Sequence, residues 1–194
     1  MNNNNNNTSK VRIMTTAALL SAVGILIPLI SPIKIQIEPA SFTLASHVPI
    51  IIAMFISPAV AAVVALVTSF GFLIAGFLPV VVFRALTHIV FAMIGAFILK
   101  KNGNILNSFK TAIPFVLLIT IIHAVCEVIV SSIFYFKGQS TSSFLVMVIG
   151  LVGLGTLVHG TIDFIIAALV WVPLQKVVSL PVSTKIKLGV AKNS

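Results

Sequence analysis

Between Leu44 and Leu99 the chain is almost unbroken apolar text, punctuated only by Ser57-Pro58 and by Gly76-Phe77-Leu78-Pro79. A soluble fold needs polar faces between such elements, whereas a bilayer-spanning helix needs a run of roughly 20 apolar residues. The rest of the chain repeats the pattern. Hydrophobic residues make up 59% and charged residues 8%, the latter far below the roughly 25% usual in soluble domains. Mean hydropathy is +1.20. These properties predict an all-α integral membrane protein.

The punctuation divides the text into a bundle of six transmembrane helices over residues 11–178. A first span runs to about Ile30, and its length, with no small-residue cleavage site after it, predicts that it is uncleaved. Three spans follow near 44–57, 58–76 and 79–99, then "KKNGNILNSFK", a fifth near 111–136, "KGQSTSS", and a sixth near 144–175. Between the first two, "SPIKIQIEPASFTLA" alternates polar and apolar residues between prolines and predicts an extended outer loop. Residues 1–12 carry an asparagine run and predict a disordered tail, and 179–194 predict a basic tail.

Charge sets the orientation. With both termini cytoplasmic, Lys10, Arg12, Lys100, Lys101, Lys110, Lys176, Lys185, Lys187 and Lys192 lie inside, against Lys34 and Lys137 outside. The net charge of +9 is thereby a matter of topology, and it does not sit on an aromatic-interleaved face suited to nucleic acid. Trp171, Gln175 and Lys176 are expected to anchor the last helix at the inner headgroups. No G-x-x-x-x-G-K-[ST] loop is present, so the chain lacks the phosphate cradle of a nucleotide-driven pump. The one cysteine, Cys126, is expected to be a small packing residue.

Ionisable side chains inside spans are costly, about 2.5–3.5 kcal/mol at the helix centre, and so face partners or cavities. Three spans carry such residues four apart: Arg84 and His88, His123 and Glu127, His159 and Asp163. At a rise of about 1.5 Å per residue, Arg84 lies ~7–8 Å below the outer end of its span, with His88 one turn deeper. Glu127, Ser131 and Tyr135 descend to the same half from the other direction, and His47 opens the second span there. Lys34 and Phe42, on the outer loop, are placed to roof the opening. These residues predict an outward-facing pocket for a small aromatic or hydroxylated acid, gripped by Arg84. The other reading pairs Arg84 with Glu127 or Asp163 and only ties helices together. His159 and Asp163 are expected to form a deeper helix-locking pair. No metal site is expected, because the histidines fall on separate spans at unequal depth and no H-x-x-x-H pair occurs.

Small residues four apart mark close helix approaches: Ala18 with Ala22 in "AALLSA", Ala61 with Ala65, and Ala92 with Ala96. With the six spans, the long outer loop and the basic inner ends, the first pair makes the chain resemble the S components of energy-coupling factor transporters. "IEPASFTLASHVPIIIAMFISP" and "FRALTHIVFAMIGAF" resemble the niacin-specific branch. The resemblance implies a non-enzymatic vitamin-binding subunit in the cell membrane, with the first outer loop as lid. It also implies that Ala18 and Ala22 touch a transmembrane coupling subunit, itself served by two cytoplasmic ATPases that hydrolyse the ATP, while this chain binds no cofactor. Pantothenate or another small acidic vitamin is the alternative substrate. A proton-coupled carrier using His123, Glu127, His159 and Asp163 as a relay is the alternative class.

Overall fold

The computed structural model describes residues 2–136, 140–178 and 180–187. Helix α1 (Asn2–Ile30) leads into a hairpin of β1 (Lys34–Ile37) and β2 (Ala40–Thr43), followed by α2 (Val48–Ile56), α3 (Pro58–Ile74) and α4 (Pro79–Lys101). A 3-10 turn at Ile105–Asn107 precedes α5 (Phe109–Tyr135), and the last helical rod runs through α6 (Thr141–Phe144), a π-helical stretch (Leu145–Leu154) and α7 (Gly155–Val177). Lys137 and Lys192, assigned above to opposite sides, lie outside the described residues, as do residues 179 and 188–194 of the final tail.

Among the described residues four helical stretches are long and apolar enough to cross a membrane: Ser9–Ile30, Pro79–Lys101, Phe109–Tyr135 and Thr141–Val177. Their outward faces carry large apolar residues such as Leu19, Phe97, Ile133 and Leu169, as lipid contact requires. The helical geometry of α1 starts at Asn2 and so takes in the asparagine run that the sequence reads as a tail.

The expected second span folds differently. The outer loop forms an antiparallel hairpin, pairing Lys34 with Thr43 and Ile37 with Ala40, and Ala45 adopts a left-handed φ of 67°. Helix therefore starts only at Val48, and Ser57-Pro58 ends it after nine residues. At about 1.5 Å per residue such a helix reaches less than half of a ~30 Å hydrocarbon core. All nine residues are buried, so α2 is the axis of the bundle. Gly95 lets α4 approach Met54 on α2, and Gly71 lets α3 approach Ile25 on α1, since a Cβ at either would come within 2.5 Å of those side chains.

Because α2 ends inside the bundle, its last carbonyls need partners there. The chain after α7 supplies them: the Ser183 and Thr184 amides donate to Phe55 O at 3.0 and 3.2 Å, and Ser183 Oγ donates to Ile56 O at 3.1 Å. This return corrects the expected role of Trp171 and Gln175 as headgroup anchors. Trp171 is fully buried against Phe55, with Nε1 donating to Thr184 O, and Gln175 bonds both backbone groups of Ile186.

The three small-residue pairs separate. Ala61, Ala65, Ala92 and Ala96 are buried within the bundle, whereas Ala18 and Ala22 are exposed on the outer face of α1.

Candidate functional site

The short α2 fixes the site, because its N-terminus opens in the middle of the bundle. A buried helix start leaves amide groups without partners and favours negative charge. Asp163 of α7, fully buried, meets both needs. Its Oδ1 accepts the Ala45 amide at 2.8 Å, and its Oδ2 accepts the His47 amide at 2.9 Å and faces His47 Nδ1 at 3.0 Å. His159 Nε2 lies 3.3 Å from the same oxygen. The expected pairing of His159 with Asp163 is present, but the carboxylate's main partners are on the segment entering α2.

A second buried carboxylate, Glu127 of α5, ties three helices. Arg84 of α4 donates to its Oε2 from Nε at 3.0 Å and again from Nη2, while Thr156 of α7 donates to the same oxygen at 2.9 Å. Arg84 Nη1 reaches Pro39 O at 3.2 Å, holding the hairpin turn to the bundle. The expected pairing of Arg84 with Glu127 is formed, and it does not use the whole guanidinium. Three hydrogen bonds leave two of its five N–H groups over. Glu127 Oε1 faces His88 Nε2 at 3.4 Å and His123 Nε2 at 3.3 Å.

A cavity of about 210 Å³ lies beside these groups, beneath the hairpin. Lys34, Gln36, Ser41 and Phe42 of the hairpin form one side; Thr68 and Phe72 of α3, Phe77, and Arg84 and His88 of α4 form another. Ser46, His47, Glu127, Thr156 and His159 complete the polar part of the wall. Phe42 is held over the opening of α7, its ring 5.3 Å from that of His159 and in the space where a Cβ on Gly155 would fall. Thr68 Oγ1 is buried without a hydrogen-bond partner.

Of the residues expected from sequence, Lys34, Phe42, His47, Arg84, His88 and Glu127 share this wall. Ser131 and Tyr135 are not on it: Ser131 is fully buried one turn from Glu127 with an unpartnered hydroxyl, and Tyr135 is half-buried near the end of α5. Sequence reasoning missed Thr68, Thr156 and Gln36, which carry no charge to mark them, and placed His159 too deep. The rod Thr141–Val177 has 37 residues, more than a bilayer needs, and it brings His159 and Asp163 level with His47. The same correction removes the premise of unequal depth for the histidines. His47 lies 4.7 Å from His88, 4.6 Å from His123 and 4.9 Å from His159, ring centre to ring centre.

No protein-family profile matches the chain, and no solved structure matches it significantly. A curated relative does: over 161 residues, 82% of this chain and 72% of the relative, it is 42% identical to the niacin transporter NiaX of Lactococcus lactis subsp. cremoris (strain MG1363). A mostly helical membrane bundle with a polar cavity roofed by a hairpin accords with that likeness. The chain belongs to the S components of energy-coupling factor transporters, in the branch that holds this niacin transporter.

Proposed function

We propose that this chain is the niacin-binding subunit of an importer, with nicotinic acid bound in the cavity under the hairpin. The observation that carries the reading is the make-up of that wall in a close relative of a niacin transporter: cationic Lys34 and Arg84 set among Phe42, Phe72 and Phe77. A flat heteroaromatic acid asks for those two properties together, charge for its carboxylate and apolar rings for its faces. The two spare N–H groups of Arg84, with Lys34, take the carboxylate. Thr68 Oγ1 and His159 remain for the ring nitrogen.

The hairpin acts as lid. The chain crosses the cell membrane six times with both termini cytoplasmic, the second crossing starting beneath the hairpin and running through α2. The basic residues at the inner ends support that orientation. Energy comes from ATP hydrolysed by two cytoplasmic ATPases acting through a transmembrane coupling subunit. The exposed Ala18 and Ala22 on α1 present the face it docks on.

The test is titration of the purified chain in detergent with nicotinic acid, nicotinamide and pantothenate. Nicotinic acid should bind, and nicotinamide, with the same ring but no anion, should bind at least about 30-fold more weakly, the ~2 kcal/mol that loss of a charged contact costs. Equal affinity for acid and amide would remove the carboxylate grip, and selective pantothenate binding would replace the substrate. Uptake in cells lacking the ATPases discriminates the carrier alternative, which would continue without them.

A further inference from the structure

Three histidines cluster beside Glu127, His47 and His123 buried and His88 partly so, in an arrangement that a vitamin pocket does not need. His47, His88 and His123 sit at the corners of a nearly equilateral triangle, with ring centres 4.6–4.9 Å apart and no pair stacked. Glu127 divides its oxygens between two tasks. Oε2 takes Arg84 and Thr156, while Oε1 is left to His88 Nε2 at 3.4 Å and His123 Nε2 at 3.3 Å.

Both of those contacts are long for hydrogen bonds, whose N···O separation centres on about 2.9–3.0 Å. They match another geometry. A tetrahedral shell with metal–nitrogen and metal–oxygen distances of about 2.0–2.1 Å has donor-to-donor edges of about 3.3–3.4 Å. His47 offers the fourth donor. Its Nδ1 is held by Asp163 at 3.0 Å, and among the described residues nothing in the protein bonds its Nε2. A carboxylate on one nitrogen that turns the other toward a shared centre is how metal-bound histidines are commonly oriented. One donor atom from each of the four residues lies within 4.8 Å of the rest.

We propose that His47, His88, His123 and Glu127 bind a divalent first-row transition metal ion where the cavity wall meets the bundle interior. Three imidazoles and one carboxylate without a thiolate suit zinc, nickel or cobalt, whereas calcium or magnesium would require more oxygen donors. A dication beside Arg84, Glu127 and Asp163 leaves one net positive charge, and Lys34 on the cavity wall adds another, so the adjoining cavity favours an anion. Taking that anion as nicotinate rests on the niacin reading; the metal site does not.

The experiment uses the full chain in detergent, with an affinity tag free of histidine, stripped with chelator and desalted. Zinc chloride is titrated calorimetrically, and the loaded protein is measured by X-ray absorption at the zinc edge. The expected result is one equivalent of zinc, with a nitrogen and oxygen shell at about 2.0 Å and imidazole outer-shell scattering. His88→Gln and His123→Gln should each weaken zinc about 100-fold or more, beyond the 10–100-fold typical of losing a supporting group. His159→Gln should keep the equivalent. Folded wild-type protein that takes no stoichiometric zinc overturns the proposal without reference to any variant. So does zinc that survives both His88→Gln and His123→Gln but is lost with His159→Gln, which would place it on His47, His159 and Asp163. Nicotinic acid is titrated on the same samples, so zinc binding without acid binding sinks the niacin reading and leaves the metal site standing.

Discussion

Breaking the buried pair between Arg84 and Glu127 gives the most direct test of how the bundle is held. Arg84→Met keeps the length of the side chain and removes the guanidinium, leaving a carboxylate that is 4% exposed with only Thr156 and two histidines around it. Glu127→Gln does the converse, leaving a buried cation with the Pro39 carbonyl as its remaining partner. Each single change should cost about 3–5 kcal/mol, because an uncompensated buried charge is left behind. The double variant has no orphaned charge. It still loses the tie to Pro39 and the Thr156 acceptor geometry, worth about 1–3 kcal/mol together. It should therefore be more stable than the sum of the singles predicts, with a coupling energy of about 3 kcal/mol or more. Equilibrium unfolding of the four proteins, from detergent micelles titrated with a denaturing detergent, reads these values. If the singles add to the double within about 0.5 kcal/mol, the two groups do not act as a pair and the account of the interior is refuted.

Three further changes probe other parts of the fold. Asp163→Asn replaces an acceptor with an NH₂ that faces the His47 amide and ring; leaving buried donors unpaired should destabilise by about 2–4 kcal/mol, visible as a lower thermal midpoint by fluorimetry. Gly155→Ala puts a methyl 2.6 Å from the Phe42 ring and should push the lid outward, weakening nicotinic acid by roughly 5–30-fold in titration, about 1–2 kcal/mol. Unchanged affinity would show that Phe42 does not cover the ligand. Ala18→Trp or Ala22→Trp should abolish uptake in cells while leaving ligand binding to the isolated chain intact, because these positions face outward from α1. Loss of binding with retained assembly would place the partner on another face.

How much of this was legible in the sequence depends on the kind of signal. Membrane residence, the breaks at Ser57-Pro58 and Gly76–Pro79, and the extended loop follow from composition, proline chemistry and alternation, all local properties. The convergence of His47, Arg84, His88 and Glu127 was also legible, since ionisable residues are too costly to leave facing lipid and must find one another. The family likeness rested on the same text.

Tertiary structure decided the rest. Local signals place the end of α2 at Ser57-Pro58, but not its nine-residue length, which the late start at Val48 decides, nor the chain returning at Ser183 and Thr184 to meet the carbonyls of Phe55 and Ile56. For the same reason Trp171 reads as a headgroup anchor in isolation and is buried by that returning segment. Spacing alone makes the three alanine pairs equivalent; packing buries two and exposes one. The histidines show the limit most plainly. Counting residues from span ends assumes rods of equal length, and a 37-residue last rod with a half-length α2 brings His159 and Asp163 level with His47. Depth in a bilayer is a property of the whole bundle, set by where short and long helices overlap, and only the packed structure supplies it.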